Sequence, residues 1–190
     1  MNIVLLGAPG CGKGTHAKKI HEKYGLTPLS TGELFRKEIA NNTPIGFHAK
    51  EILDRGELCP DRLTLDMLTE YIHSLENKTG FILDGVPRTI DQAKMLDGIN
   101  YDSPLTITVV INLLVDEEVI IARLLKRAKL EGRSDDNFDI IKNRIKTYQA
   151  YTEPLIHYYE KQQKLFQVNG SEEIEIVFSN ICNIIDQFTE

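Results

Sequence analysis

The chain has 190 residues, of which 42% are hydrophobic and 26% charged, and a formal net charge of -6. That length and mix suit one domain with its own core, and the acidic balance weighs against a nucleic-acid partner. The longest apolar run, about Leu105 to Val115, is too short to span a membrane. Three cysteines, Cys11, Cys59 and Cys182, form no C-x-x-C pair, so reduced thiols are expected, with neither a disulfide framework nor a structural zinc site. No basic segment with an apolar core and a small-residue cleavage site opens the chain, and a cytoplasmic location is expected.

Asn2 to Leu6 reads as a buried strand and runs directly into Gly7-Ala-Pro-Gly-Cys-Gly-Lys-Gly-Thr15. Glycines let successive backbone N–H groups turn around an anion, the following helix points its positive end at the same place, and Lys13 adds a full charge. The spacing fits a P-loop except at Gly14, where a hydroxyl that ligates magnesium is usual, so the metal must be held in another way. A helix is predicted from Lys13 to Tyr24, stopped by Gly25. Leu29-Ser-Thr-Gly32 then precedes short helical stretches over Glu33 to Ala40 and Pro44 to Arg55, which read as a small helical insertion.

Asp61 is expected to cap a helix carrying Leu65, Leu68 and Ile72, and Gly80 to Asp84 to form a second buried strand. A helix over Ile90 to Leu96, a strand over Thr106 to Asn112 and a helix from its cap Asp116 through Ala128 follow. Ala128 to Asp136 reads as a polar, mobile loop with the character of a lid. Asn137 starts a long helix bent near Pro154. A last strand, Leu165 to Val168, and a closing helix, Glu173 to Phe188, complete an α/β fold with a parallel sheet flanked by helices.

Asp84 ends an apolar strand and is followed by Gly85-Val-Pro-Arg88, which sets a carboxylate beside a guanidinium where open α/β sheets bind ligands. Arg123 and Arg127 lie four apart and project from one helix face, able to grip a shared polyanion. Arg144 sits beside the stripe Ile141, Ile145 and Tyr148, where an unpaired charge would be costly, so an anion is expected to meet it.

Together, Gly7 to Thr15, Leu29 to Arg36, Asp84 to Thr89, Arg123 to Arg127, Gly132 to Asn137 and Thr152-Glu-Pro-Leu-Ile156 resemble the adenylate kinase family, short-lid type, over almost the whole chain. The resemblance implies a P-loop NTPase-like domain over 1–190. Its core would be 1–29, 60–125 and 137–190, its nucleoside monophosphate (NMP) insertion 30–59 and its short lid 126–136. The implied reaction is reversible transfer of the ATP γ-phosphoryl to AMP, giving two ADP and serving adenine nucleotide homeostasis. ATP, AMP and ADP are the expected partners, with Mg2+ as cofactor, no zinc, no nucleic acid, no membrane, and a monomer.

By the same resemblance Gly10, Cys11, Gly12, Lys13, Gly14, Thr15, Arg123, Arg127 and Glu172 would bind ATP. Thr31, Arg36, Glu57, Leu58, Cys59, Gly85, Val86, Pro87, Arg88, Gln92, Arg133 and Arg144 would bind AMP. Lys13, Arg88, Arg123, Arg133 and Arg144 would be catalytic, and Asp84 would hold Mg2+ through water. Three positions depart from the usual pattern: Val86 where an aromatic is frequent, Cys59 where Val or Ile is common, and Glu172 where Gly or Lys often meets the adenine. The alternative is a UMP or CMP kinase, in which Ala usually stands for Thr31 and Asn for Gln92; a longer Gln amide suits the two-point edge of adenine. A non-catalytic nucleotide switch is the remote alternative, without an Asn-Lys-x-Asp guanine signature to support it.

Overall fold

Among the residues described by the computed structural model (1–76, 80–98, 105–133 and 136–189), short runs rich in branched apolar residues pair into one parallel sheet. Its strands are β1 (Asn2–Leu6), β2 (Thr27–Ser30), β3 (Phe81–Asp84), β4 (Val109–Leu114) and β5 (Leu165–Asn169), in the order β2-β3-β1-β4-β5. The helices are α1 (Lys13–Tyr24), α2 (Thr31–Ala40), α3 (Pro44–Leu53), α4 (Asp61–Ser74), α5 (Ile90–Asp97), α6 (Glu117–Glu131), α7 (Phe138–Thr147), α8 (Pro154–Glu160) and α9 (Ile174–Ile185). None is long and apolar enough to cross a membrane.

Successive side chains of a strand point to opposite faces, so β1 feeds both halves of the core. Ile3 and Leu5 pack with Ala17 and Ile20 of α1 and Val177, Ile181 and Ile185 of α9. Val4 and Leu6 pack instead with Leu68 and Ile72 of α4, Ala93 and Leu96 of α5, and Leu155 and Tyr159 of α8. Burying each such side chain contributes about 1.5–3 kcal/mol, which anchors the strand that leads into the glycine-rich loop. Asn2 ties the other end of the sheet: its Oδ1 accepts from Phe81 N–H at 3.0 Å and its Nδ2 donates to the Thr106 carbonyl at 3.0 Å.

Several boundaries differ from the sequence reading. Thr27–Ser30 is an edge strand, in register with Phe81–Asp84, although its short polar sequence carries no strand signal. β4 starts at Val109 because Thr106 and Thr108 serve Asn2, and it runs to Leu114 because β5 pairs with it as far as Asn169. Asp61 is the first residue of α4 rather than its cap; its carboxylate turns to α5, accepting from Thr89 Oγ1 at 2.9 Å and Gln92 Nε2 at 2.8 Å. Asp116 occupies the cap position of α6 without a side-chain cap bond. That helix continues to Glu131, closed by Gly132 N–H donating to the Ala128 carbonyl, so 128–131 is helix and not loop. The bend expected near Pro154 is a π-helical turn, Tyr148–Thr152, in which Glu153 N–H reaches back to the Tyr148 carbonyl before proline, which has no N–H, opens α8.

Helices α2 and α3 carry a small core of their own, Phe35, Ala49, Ile52 and Cys59, against Leu63 and Met67. They meet at Gly46, where a Cβ would stand 2.2 Å from the Glu38 carbonyl oxygen. Gly46→Ala must therefore push two backbones apart, and we expect a loss of about 1–3 kcal/mol of stability. A lowered urea midpoint is the readout; an unchanged midpoint would contradict this contact.

Candidate functional site

The carboxyl ends of β1 and β3, with the start of α1 and the facing surfaces of α6 and α7, enclose a cavity of about 810 Å³. Its floor is the loop after β1. Gly7 and Gly12 have φ of 136° and 107°, and a Cβ at Gly7 would lie 2.8 Å from the Leu113 carbonyl oxygen, so these turns need glycine. Lys13 Nζ donates to the Gly7 and Ala8 carbonyls at 2.8 and 3.1 Å and lies 3.6 Å from Cys11 Sγ. Its ammonium thus stays within the loop whose N–H groups and helix end favour an anion.

Arginines from four separate segments face the same space. Arg123 donates to the Gly170 carbonyl at 3.2 Å and to the Cys11 carbonyl at 3.4 Å, joining α6 to the glycine-rich loop and to the turn after β5. Arg88 Nε donates to the Gly85 carbonyl at 2.9 Å, which Thr31 Oγ1 also reaches at 2.9 Å. The Arg88 backbone is fixed at both ends: its N–H donates to Gln92 Oε1 at 2.7 Å, and its carbonyl accepts from Thr152 Oγ1 at 2.9 Å. Burial pulls the Arg88 guanidinium below its ordinary pKa while Asp84 and Cys59 act the other way; arginine nevertheless stays protonated in proteins. Burial also pushes the Cys59 thiol up to about 11, against the field of Arg88. At that value Cys59 is a neutral filler.

The anion expected beside Arg144 is Asp136, fully buried between two arginines. Arg127 donates to it through Nε and Nη2 at 2.6 and 2.8 Å, and Arg144 through Nη1 at 2.8 Å. Arg133 pairs with Glu131 at 2.6 Å. In the sequence Asp136 stands only as part of a polar stretch, and the need of Arg144 for a partner is its one signal.

Gly10 to Thr15, Arg36, Glu57, Leu58, Asp84, Gly85, Pro87, Arg88, Arg123, Arg127, Arg133, Arg144 and Glu172 all line the cavity. Thr31, Cys59, Val86 and Gln92 do not: each is buried behind it, Thr31 bonded to Gly85 and Gln92 between Arg88 and Asp61. Thr152, Tyr148 and His16 also line it, though none of them is among the site residues expected from the sequence. The first two arrive through the π-helical turn, which residue spacing does not announce.

The residues fit a magnesium ion brought by a polyphosphate. Asp84 lines the cavity at the end of β3, and its Oδ2 would be 3.7 Å from a Cβ on Gly14, the position that lacks the usual hydroxyl. Magnesium takes one or two carboxylates with substrate phosphates and water, not a full protein cage. Among the described residues no group of three or more His, Cys, Asp or Glu could hold a metal alone.

A family model described as "Adenylate kinase" matches residues 5–164. The chain is 46% identical over 186 residues to an adenylate kinase of Azobacteroides pseudotrichonymphae, covering 98% of this chain and 97% of that protein. It is 41% identical over 187 residues to one of Bacteroides thetaiotaomicron (98% and 99% covered) and 43% identical over 186 residues to one of Bacteroides fragilis (98% of each).

His16 is 4% exposed, with Nδ1 unbonded. Burial, then Lys19 and Arg123, lower its pKa against the opposing Glu175. The unfolded chain takes up this proton near the ordinary imidazole value of about 6.5, and the folded protein only at lower pH. The stability gained from a neutral His16 is therefore complete above pH ~6.5 and lost as pH falls below it. We expect His16→Gln to flatten the fall in unfolding free energy between pH ~7.5 and ~5.5, read by urea titration. Equal pH dependence in the two proteins would refute a neutral His16.

Proposed function

The chain belongs to the adenylate kinase family, and from that premise we propose how this cavity divides the work of the reaction. The protein is a phosphotransferase that moves the γ-phosphoryl group of ATP to AMP and yields two ADP. One observation carries the division: the glycine-rich loop and a second, separate set of arginines line the same cavity.

The donor half is Gly10 to Thr15 with Arg123, Arg127 and Glu172. The loop N–H groups and Lys13 take the ATP phosphates, and Arg127 extends that grip. The acceptor half is Arg36, Glu57, Leu58, Gly85, Pro87 and Arg88 on the cavity wall, with Thr31, Cys59, Val86 and Gln92 directly behind them. Arg133 and Arg144 stand between the halves, facing the group in transfer. Phosphoryl transfer needs two anions brought in line and their spread charge neutralised, so no protein nucleophile is required. Six arginines and Lys13 around one cavity suit that need. Mg2+, when bound, supplies further neutralisation, with Asp84 holding it through water. Because that carboxylate has no protein hydrogen bond among the described residues, it is free for the role.

Residues 30–59 would act as the NMP insertion and 126–136 as the lid, closing to exclude water that would otherwise take the phosphoryl group. Adenylate kinases are among the known examples of such closure. Since α6 reaches Glu131, a closing lid would carry the end of that helix with it, and Gly132, at φ 65°, is the first residue past it. Both halves come from one chain, so a monomer suffices, and a cytoplasmic location suits nucleotide substrates.

With Mg-ATP, the purified protein should phosphorylate AMP faster than UMP or CMP, measured as ATP consumed with each acceptor. Faster turnover of either pyrimidine would assign the acceptor half to that base, and slow hydrolysis indifferent to AMP would mark a switch. Arg88→Ala should cut kcat/KM on the order of a hundred-fold or more. Near-normal turnover would remove Arg88 from the site.

A further inference from the structure

Gln92 is held from two sides by groups of opposite hydrogen-bonding character. The Arg88 peptide N–H can only donate, and Gln92 Oε1 accepts from it at 2.7 Å. An ionised Asp61 carboxylate can only accept, and Gln92 Nε2 donates to its Oδ1 at 2.8 Å. Asp61 is itself tethered, since Thr89 Oγ1 donates to its Oδ2 at 2.9 Å while accepting from the Gln92 peptide N–H at 3.1 Å. Turning the amide over would set N–H against N–H at Arg88 and carbonyl against carboxylate at Asp61. At 2% exposure water cannot relieve either clash.

We propose that Asp61 is a specificity-determining positioning residue, which locks the Gln92 amide in one orientation so that the acceptor half takes a 6-aminopurine and rejects a 6-oxopurine. The proposal rests on the reading of Gln92 as a contact of the acceptor base, which would reach the buried amide only as the wall in front of it opens on binding. Once bonded to Arg88 and Asp61, the amide keeps one N–H on Nε2 and one lone pair on Oε1. A 6-aminopurine offers an acceptor at N1 beside an amino donor, which complements that pair. A 6-oxopurine offers N1–H beside a carbonyl, which meets donor with donor and acceptor with acceptor. Relief by flipping costs both locking bonds. The lock reads amino against oxo; ring size is set elsewhere in the pocket.

The test compares kcat/KM for AMP and IMP, with saturating Mg-ATP, in the wild-type protein, Asp61→Asn, Asp61→Glu and Gln92→Leu. Asparagine is isosteric but can turn its own amide, so the flipped Gln92 keeps a partner there. The AMP-to-IMP ratio should fall on the order of ten-fold in Asp61→Asn, recover toward wild type in Asp61→Glu, and collapse in Gln92→Leu. A loss of AMP turnover without a change in that ratio would mean a merely structural role and overturn the proposal. If Asp61→Asn does not fold, the ratio is read in Asp61→Ala, which removes the carboxylate that holds Gln92 Nε2; a wild-type ratio there also overturns it. A Gln92→Leu protein that still prefers AMP refutes the Gln92 reading itself, and a wild-type protein inactive on AMP refutes the assigned acceptor.

Discussion

Positive charge crowded around one cavity is the constraint to which the rest of the molecule answers. Lys13, Arg36, Arg88, Arg123, Arg127, Arg133 and Arg144 all line it, in a chain whose net charge is negative. Two unit charges about 4 Å apart repel by about 4 kcal/mol near a protein surface, so such a cluster cannot simply be left to itself. Protein acceptors hold it in place. Backbone carbonyls take Lys13, Arg88 and Arg123; carboxylates take Arg127, Arg133 and Arg144. Carbonyls place a cation without cancelling its charge, which leaves it available to a polyanion.

The sheet explains why these groups can meet. After β1 the chain builds β2 and β3 on one side, then crosses to build β4 and β5 on the other. Connections leaving β1 and β4 therefore part in opposite directions and open a crevice at the carboxyl ends of the central strands, where ligands of open α/β sheets bind. The glycine-rich loop leaves β1 into that crevice, Asp84 and Arg88 leave β3 beside it, and α6 follows β4 around its rim. Parallel strands make this work, because every strand then delivers its connection to the same side.

The sequence made legible what local chemistry dictates. Glycine spacing before Lys13, the apolar strand before Asp84 and the i,i+4 pair Arg123 and Arg127 each carry their meaning in a few adjacent residues, and the cavity gathers all of them. What it left hidden depends on distant partners. Thr27–Ser30 is a strand only because Phe81–Asp84 lies alongside, and Asp61 is drawn from capping α4 by two groups on or next to α5. Thr152 reaches Arg88 because a π-helical turn adds one residue to the circuit of the backbone. Gln92 was legible as a chemically apt amide, but not as a buried one engaged on two sides.

Asp136 brings charge and geometry together. It has no exposed surface and accepts from Arg127 on α6 and Arg144 on α7, so one carboxylate fixes two guanidiniums of the cavity wall relative to each other. Burying the ions has already cost their hydration, which in a protein amounts to several kcal/mol per ion. A phosphate that engages these arginines meets side chains already partly desolvated and aligned, so less of its binding energy goes into ordering them. The pairing also couples two walls of the cavity: moving Arg127 on α6 strains its bond to Asp136, and through that carboxylate changes how firmly Arg144 on α7 is held. A kinase that must not transfer phosphoryl to water gains from such a link, because cations on two helices then respond to each other across a single side chain.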